Sequence, residues 1–173
     1  LLIGATSAKA RAAATGKPFI AINHLEGHLL SPFLETSLIP PHVALIVSGG
    51  HTLLLDVEKP GSYLKLGSTR DDAAGEAFDK VGKMLGLPYP GGPEVEKMAR
   101  LGNPEAFRFP RSMMKEKNFD FSFSGLKTAV LYTLTERNPE NGTAFPEDLP
   151  DLCASFQQAV VEVLIHKTLR AAR

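Results

Sequence analysis

Apolar and polar positions alternate with two periods along this chain, and the switches between them mark its elements. Residues 1–14 form an Ala-rich helical pattern, ended by Gly16, with Lys17-Pro18 turning the chain. Phe19-Ile20-Ala21-Ile22 is an apolar run of strand length that stops at Asn23. Asn23 can cap a helix over residues 23–35, with Glu26 at the third helical position of a capping box. Two apolar runs, Val43 to Val47 and Thr52 to Leu55, joined through Ser48-Gly49-Gly50, predict a hairpin.

Further on, helical spacing covers residues 71–85, with Thr69 as expected N-cap and Gly86 as C-cap. Residues 88–93 read as a rigid turn and 94–100 as a short helix. Phe119, Phe121 and Phe123 alternate with polar residues like a strand, and Ser124 is placed to cap a helix from Leu126. Residues 135–150, with Asn141-Gly142 and three prolines, predict a loop. The pattern from Asp151 onward is one amphipathic helix with Leu152, Phe156, Ala159, Val160, Val163 and Leu164 on its buried face. Strands and helices both recur, so the class is α/β. Neither end shows a clear start or stop signal, so the segment reads as the middle of a longer protein.

Composition narrows the functions. With 173 residues, 43 % apolar, the chain can bury a core as one domain or a large part of one. Its 19 basic and 19 acidic side chains cancel, which argues against binding nucleic acid through bulk charge. No run approaches the roughly 18 apolar residues of a spanning helix, nothing resembles a signal peptide, and the single cysteine, Cys153, fits a reducing compartment. A soluble, cytoplasmic protein without membrane contact is expected.

Four constellations could carry chemistry. His24 and His28 stand one helical turn apart, so both imidazoles can reach one metal ion, or simply end a helix without one. Leu25 occupies the place where a zinc peptidase has its glutamate base. A third ligand could come from His42, His51, Asp71 or Asp72, none at compelling spacing. Ser48-Gly49-Gly50-His51-Thr52 can bring backbone amides close to an anion, with the Ser48 and Thr52 hydroxyls as extra donors, or merely turn the chain. Asp79 lies between Gly75 and Gly82 in a helix stripe without side chains. Something must pack closely there, either a ligand or another backbone; a solvent ion pair with Lys83 is the plain alternative. Arg108, Arg111, Lys115, Lys117 and Lys127 interleave with phenylalanines, which reads more simply as a charged rim over a core than as an RNA surface. Asn141-Gly142-Thr143 is read as a turn, and Cys153 as packing.

The order of these motifs is specific. Asn23-His24-Leu25-Glu26-Gly27-His28, Val47-Ser48-Gly49-Gly50-His51-Thr52, the run from Asp71 to Lys80, Tyr89-Pro90-Gly91-Gly92-Pro93 and the run from Phe121 to Thr128 follow one another. This series resembles the TsaD family of tRNA threonylcarbamoyladenosine synthases, formerly called O-sialoglycoprotein endopeptidases, over essentially the whole chain. The resemblance implies an actin-like ATPase (ribonuclease H-like) fold, incomplete at both ends. It implies metal-dependent transfer of a threonylcarbamoyl group from threonylcarbamoyl-adenylate to the exocyclic amine of adenosine 37 in tRNA. His24 and His28 would ligate iron or zinc (Fe2+ or Zn2+). Ile46, Val47, Ser48, Gly49 and Gly50 would hold the carbamoyl-phosphate region of the adenylate, or ATP. Asp79 would bind the ribose, and Gly92 and Glu96 would line the adenosine site. Implied partners are tRNA, the TsaB and TsaE proteins and a TsaC-type enzyme that makes the adenylate. A metallopeptidase and a non-catalytic interaction module are the alternatives, and the isolated segment is expected to be inactive.

Overall fold

The computed structural model describes residues 2–36, 38–140 and 142–173. They form two compact units, Leu1–Leu38 and Ile39–Arg173. The first holds α1 (Leu2–Thr15) and α2 (His24–Leu30). Gly16 takes φ +64°, the left-handed conformation that ends α1 as expected. The expected strand at Phe19–Ile22 is absent: the segment is irregular, and Ile20 and Ile22 are exposed. No strand pairs with it among the described residues, and a lone extended segment has no ladder to stabilise it. Asn23 caps α2 as expected, its Oδ1 accepting from the Leu25 and Glu26 amides at 2.9 and 3.2 Å. The helix stops at Leu30 rather than reaching residue 35, and Ser31–Phe33 form a 3-10 turn. Pro32 explains the change, because its ring lacks an N–H and crowds the carbonyl four residues back.

The second unit opens with three consecutive antiparallel strands, β1 (His42–Val47), β2 (Thr52–Lys59) and β3 (Ser62–Ser68). The expected hairpin is therefore present, with Val47 paired to Thr52 across its turn. The apolar pattern alone does not predict the third strand. Its signal was Pro60-Gly61, where Gly61 takes φ +84° and reverses the chain. Four helices follow: α3 (Ala74–Met84), α4 (Gly91–Ala99), α5 (Ser124–Arg137) and α6 (Leu149–Ala171). The mixed α/β class holds, consistent with part of an actin-like ATPase fold, although these strands are consecutive rather than interleaved with helices.

Local differences have local causes. α3 begins at Ala74, because residues 69–73 form a turn in which the Thr69 hydroxyl donates to the Asp72 carbonyl at 2.7 Å. α4 starts early, at Gly91, with Pro93 in its first turn where a missing N–H costs nothing. The phenylalanine alternation correctly buries Phe121 and Phe123. It makes only one parallel bridge, Phe121 to Thr69, because α5 begins directly after it, at Ser124, which therefore does not act as the N-cap. The loop between α5 and α6 is shorter than expected, since α5 continues to Arg137; Asn141 lies outside the described residues. All six apolar residues expected on α6 are buried, as is Cys153, whose thiol is pushed up to about 12 by burial. Arg111 pairs with Glu162 and Lys127 with Asp72, so these cations do form a rim over a phenylalanine core. No helix among the described residues is long and apolar enough to cross a membrane.

Candidate functional site

The glycine turn between β1 and β2 is fixed by its own polar groups. The Ser48 N–H donates to the His51 carbonyl at 2.8 Å, and the Ser48 hydroxyl oxygen accepts from the His51 amide at 3.0 Å. Thr52 is fully buried, and its hydroxyl oxygen accepts from the Ala74 amide at 2.8 Å. Both hydroxyl oxygens thus accept bonds that hold the turn, and burial closes Thr52 to an anion. What stays open is backbone: Gly49 and Gly50 are exposed, with nothing near the position a Cβ would take. Ile46 is buried in the core and Val47 half-exposed, so this run too could offer a ligand its main chain.

Helix α3 seats against that turn. The Ser48 carbonyl accepts from the Gly75 amide at 3.2 Å. A Cβ on Gly75 would lie 2.7 Å from the Ser48 carbonyl oxygen and 2.8 Å from the Gly49 Cα. One turn later comes Asp79, about 6 Å further along the axis. Its Oδ1 accepts from the Gly91 amide at 2.8 Å and so anchors the start of α4. Gly82 and Gly91 permit that crossing: a Cβ on Gly82 would stand 2.9 Å from the Gly91 Cα. Both glycines flanking Asp79 thus face backbone, which resolves the open question of what packs there. Among the described residues Asp79 makes no ion pair with Lys83 and its Oδ2 accepts no hydrogen bond. The carboxylate borders an open cleft of about 450 Å³ with Lys83, Leu87, Pro88 and Tyr89. Gly92 is half-buried against Phe78. Glu96 is exposed on α4, paired with Arg100 at 2.6 Å, and does not line that cleft.

Asp71 and Asp72 do different work from the metal ligation considered for them. The Asp71 carboxylate accepts from the Phe123 and Ser124 amides at 2.8 and 3.2 Å, and from the hydroxyls of Ser122 and Ser124. It is the cap that α5 lacks in its own sequence. Asp72 lies between two ammonium groups, Lys80 at 2.7 Å and Lys127. Burial pushes the Asp71 carboxyl up, but the hydrogen bonds from Ser122, Phe123 and Ser124 outweigh it and hold it below the usual carboxylate range. A depressed folded-state value stabilises the fold above the unfolded-chain value of about 3.9, and that contribution is lost as pH falls below it. Asp71→Asn is therefore expected to lower stability at pH 7, with the gap to the parent protein closing below about pH 3 in chemical denaturation. A gap that stayed constant with pH would assign the loss to geometry alone.

The histidine pair lies in the first unit. His24 and His28 are exposed on one face of α2, their ring centroids 4.5 Å apart and edge to face. Two neighbouring imidazoles suit a borderline divalent ion such as zinc or iron. Among the described residues no group of three or more His, Cys, Asp or Glu side chains is assembled to complete such a site. The pair thus fits a metal as part of a ligand set.

Two further residues escaped the reading of the sequence. Gly91 mattered as the partner of Gly82, and its signal was a second glycine pair in a short span. Lys167 is fully buried and donates to the carbonyls of Asn118 and Asp120, bracing the segment before Phe121. Its signal was position: it follows Val160, Val163 and Leu164 on the apolar face of α6.

Comparison with known proteins covers the same ground. The family model for "TsaD: tRNA N6-adenosine threonylcarbamoyltransferase" matches residues 1–173. A protein of that name from Ralstonia pickettii is 55 % identical over 174 residues, covering 100 % of this chain and 50 % of the relative. One from Geotalea uraniireducens is 57 % identical over 171 residues, covering 99 % and 49 %. One from Syntrophotalea carbinolica is 55 % identical, covering 100 % and 50 %. The chain therefore spans about half the length of the curated relatives it matches. With its glycine turn, its Asp79 cleft and a match along its whole length, the chain belongs to the TsaD family.

Proposed function

We propose that this chain supplies the adenylate-holding wall of an enzyme that transfers a threonylcarbamoyl group to tRNA. The observation that carries the reading is the seating of the Ser48-Gly49-Gly50 turn on α3, one helical turn before Asp79, which borders a cleft and engages the Gly91 amide through Oδ1. Backbone at such a turn can approach an anionic group closely, and a carboxylate oxygen beside it can accept from the ribose hydroxyls of an adenylate. In the transfer, the exocyclic amine of adenosine 37 forms a bond to the carbamoyl carbon while the carbon–oxygen bond to phosphate breaks, AMP departs and the amine gives up one proton to solvent. The role of these residues is to orient: the turn holds the carbamoyl-phosphate region, Asp79 the ribose and Gly92 the adenosine side, whereas Glu96, paired with Arg100 away from the cleft, is left out of the site. His24 and His28 would hold the iron or zinc ion, which when bound supplies Lewis-acid polarisation of the transferred group. The remaining ligands, the tRNA contacts and the TsaB, TsaE and TsaC-type partners belong to the complete cytoplasmic protein, so the isolated chain is not expected to modify tRNA.

Asp79→Asn tests the reading. The amide keeps an acceptor for Gly91 but presents a donor in place of Oδ2. In the complete protein this variant should bind threonylcarbamoyl-adenylate about 10- to 100-fold more weakly by calorimetry, with thermal stability held, as expected for loss of a charge-assisted hydrogen bond of about 1.5–3 kcal/mol. Unchanged affinity would remove Asp79 from the site.

A further inference from the structure

Helix α3 lacks a side-chain cap although two aspartates stand immediately before it. Asp71 and Asp72 would ordinarily satisfy its first amides. Instead Ala73 is the N-cap residue and makes no side-chain hydrogen bond, the Ala74 amide goes to Thr52, and the Gly75 amide goes to the Ser48 carbonyl. Asp71 is turned the other way, onto a segment about 50 residues further along the chain, and Asp72 is shared between that segment's helix and α3 itself. Asp71 takes four hydrogen bonds from Ser122, Phe123 and Ser124. Asp72 bridges Lys80 of α3 and Lys127 of α5, with only 14 % of its side chain exposed. Only Ala73 separates these two sets of contacts, and the backbone just before them is pinned too, since the Thr69 amide donates to the Thr52 carbonyl at 3.0 Å and the Arg70 amide to the Phe121 carbonyl at 2.9 Å.

We propose that Asp71 and Asp72 are positioning residues for the Ser48-Gly49-Gly50 turn, joining it through the first turn of α3 to the start of α5. The inference rests on the reading of that turn as the adenylate-holding element. The α3 amides can reach Thr52 and Ser48 only while residues 71–73 keep their path, and the two carboxylates fix that path at α5. Releasing either one frees the entry of α3 and loosens the turn, without touching the surface that a ligand would meet.

The test uses the complete protein carrying this segment and two readouts. Hydrogen exchange at residues 48–52 and 74–75 requires no ligand: Asp71→Ala should speed it at least tenfold. Calorimetry with threonylcarbamoyl-adenylate, at a temperature where circular dichroism shows the variant folded, should show affinity reduced at least tenfold. Arg111→Ala, which breaks the ion pair to Glu162 on α6, serves as a control for general destabilisation and should change neither. Asp71→Asn keeps an acceptor for the two amides and should recover affinity to within threefold; Lys127→Gln takes over the test if Asp71→Ala fails to fold. Exchange and affinity that change no more in Asp71→Ala and Lys127→Gln than in Arg111→Ala would overturn the proposal. A parent protein that binds no adenylate would overturn the functional reading instead, and accelerated exchange alone would then show positioning of a turn with another ligand.

Discussion

Valine at position 75 is expected to cost the fold about 3 kcal/mol and to abolish adenylate binding in the complete protein. Helix propensity argues the other way only weakly, because Gly75 is the second residue of α3 and the penalty of about 1 kcal/mol for glycine against alanine belongs to helix interiors. Geometry decides between them. A Cβ on Gly75 would meet the Ser48 carbonyl oxygen at 2.7 Å, the Gly49 Cα at 2.8 Å and the Gly49 nitrogen at 2.9 Å. All three are backbone atoms of a turn already held by its own hydrogen bonds, so none can swing aside as a side-chain end would. The overlap must therefore separate α3 from the turn, breaking the hydrogen bond from the Gly75 amide to Ser48. Gly75→Ala should show the same effects in smaller measure, and Gly86→Ala, where open space surrounds a left-handed residue, should lose stability without loss of affinity. Denaturation and calorimetry on the three variants check this. A Gly75→Ala protein more stable than its parent would mean that propensity outweighs the contact.

Removing both imidazoles should have the largest chemical effect. In the complete protein, His24→Ala with His28→Ala is expected to reduce bound iron and zinc from about one ion per chain to none. It should lower transfer by roughly a hundredfold or more, as the loss of a Lewis acid implies. The fold should be indifferent, since both side chains are exposed and α2 is capped by Asn23, not by either histidine. Alanine is also the better helix former. Elemental analysis beside thermal melting separates the outcomes: unchanged metal content would remove the pair from the metal site.

The parts of this fold that were legible in the sequence are those decided by neighbours. Six apolar residues at helical spacing placed the buried face of α6, two β-branched and leucine-rich runs around Ser48-Gly49-Gly50 placed the hairpin, and Asn23 marked the start of α2. Each depends on residues within a few positions, where period and capping chemistry act. Asp71 shows the opposite case. Its partners lie 51 to 53 residues away, and by local rules it belongs to the first turn of α3. Phe19 to Ile22 had the composition of a strand, but a strand is made by its partner. The glycine stripe around Asp79 was visible as an anomaly, while only the structure distinguished its two meanings: Gly75 meets the turn, and Gly82 meets Gly91.

Transfer chemistry itself can be read directly from the nucleosides of tRNA. The complete protein carrying this segment is incubated with a divalent metal, threonylcarbamoyl-adenylate, the proposed TsaB- and TsaE-type partners and tRNA lacking the modification, and the digested tRNA is examined by mass spectrometry. Threonylcarbamoyl-adenosine at position 37, formed by the parent protein and lost with Asp79→Asn, is the predicted result. Unmodified tRNA, together with cleavage of a glycoprotein substrate by the same preparation, would contradict it.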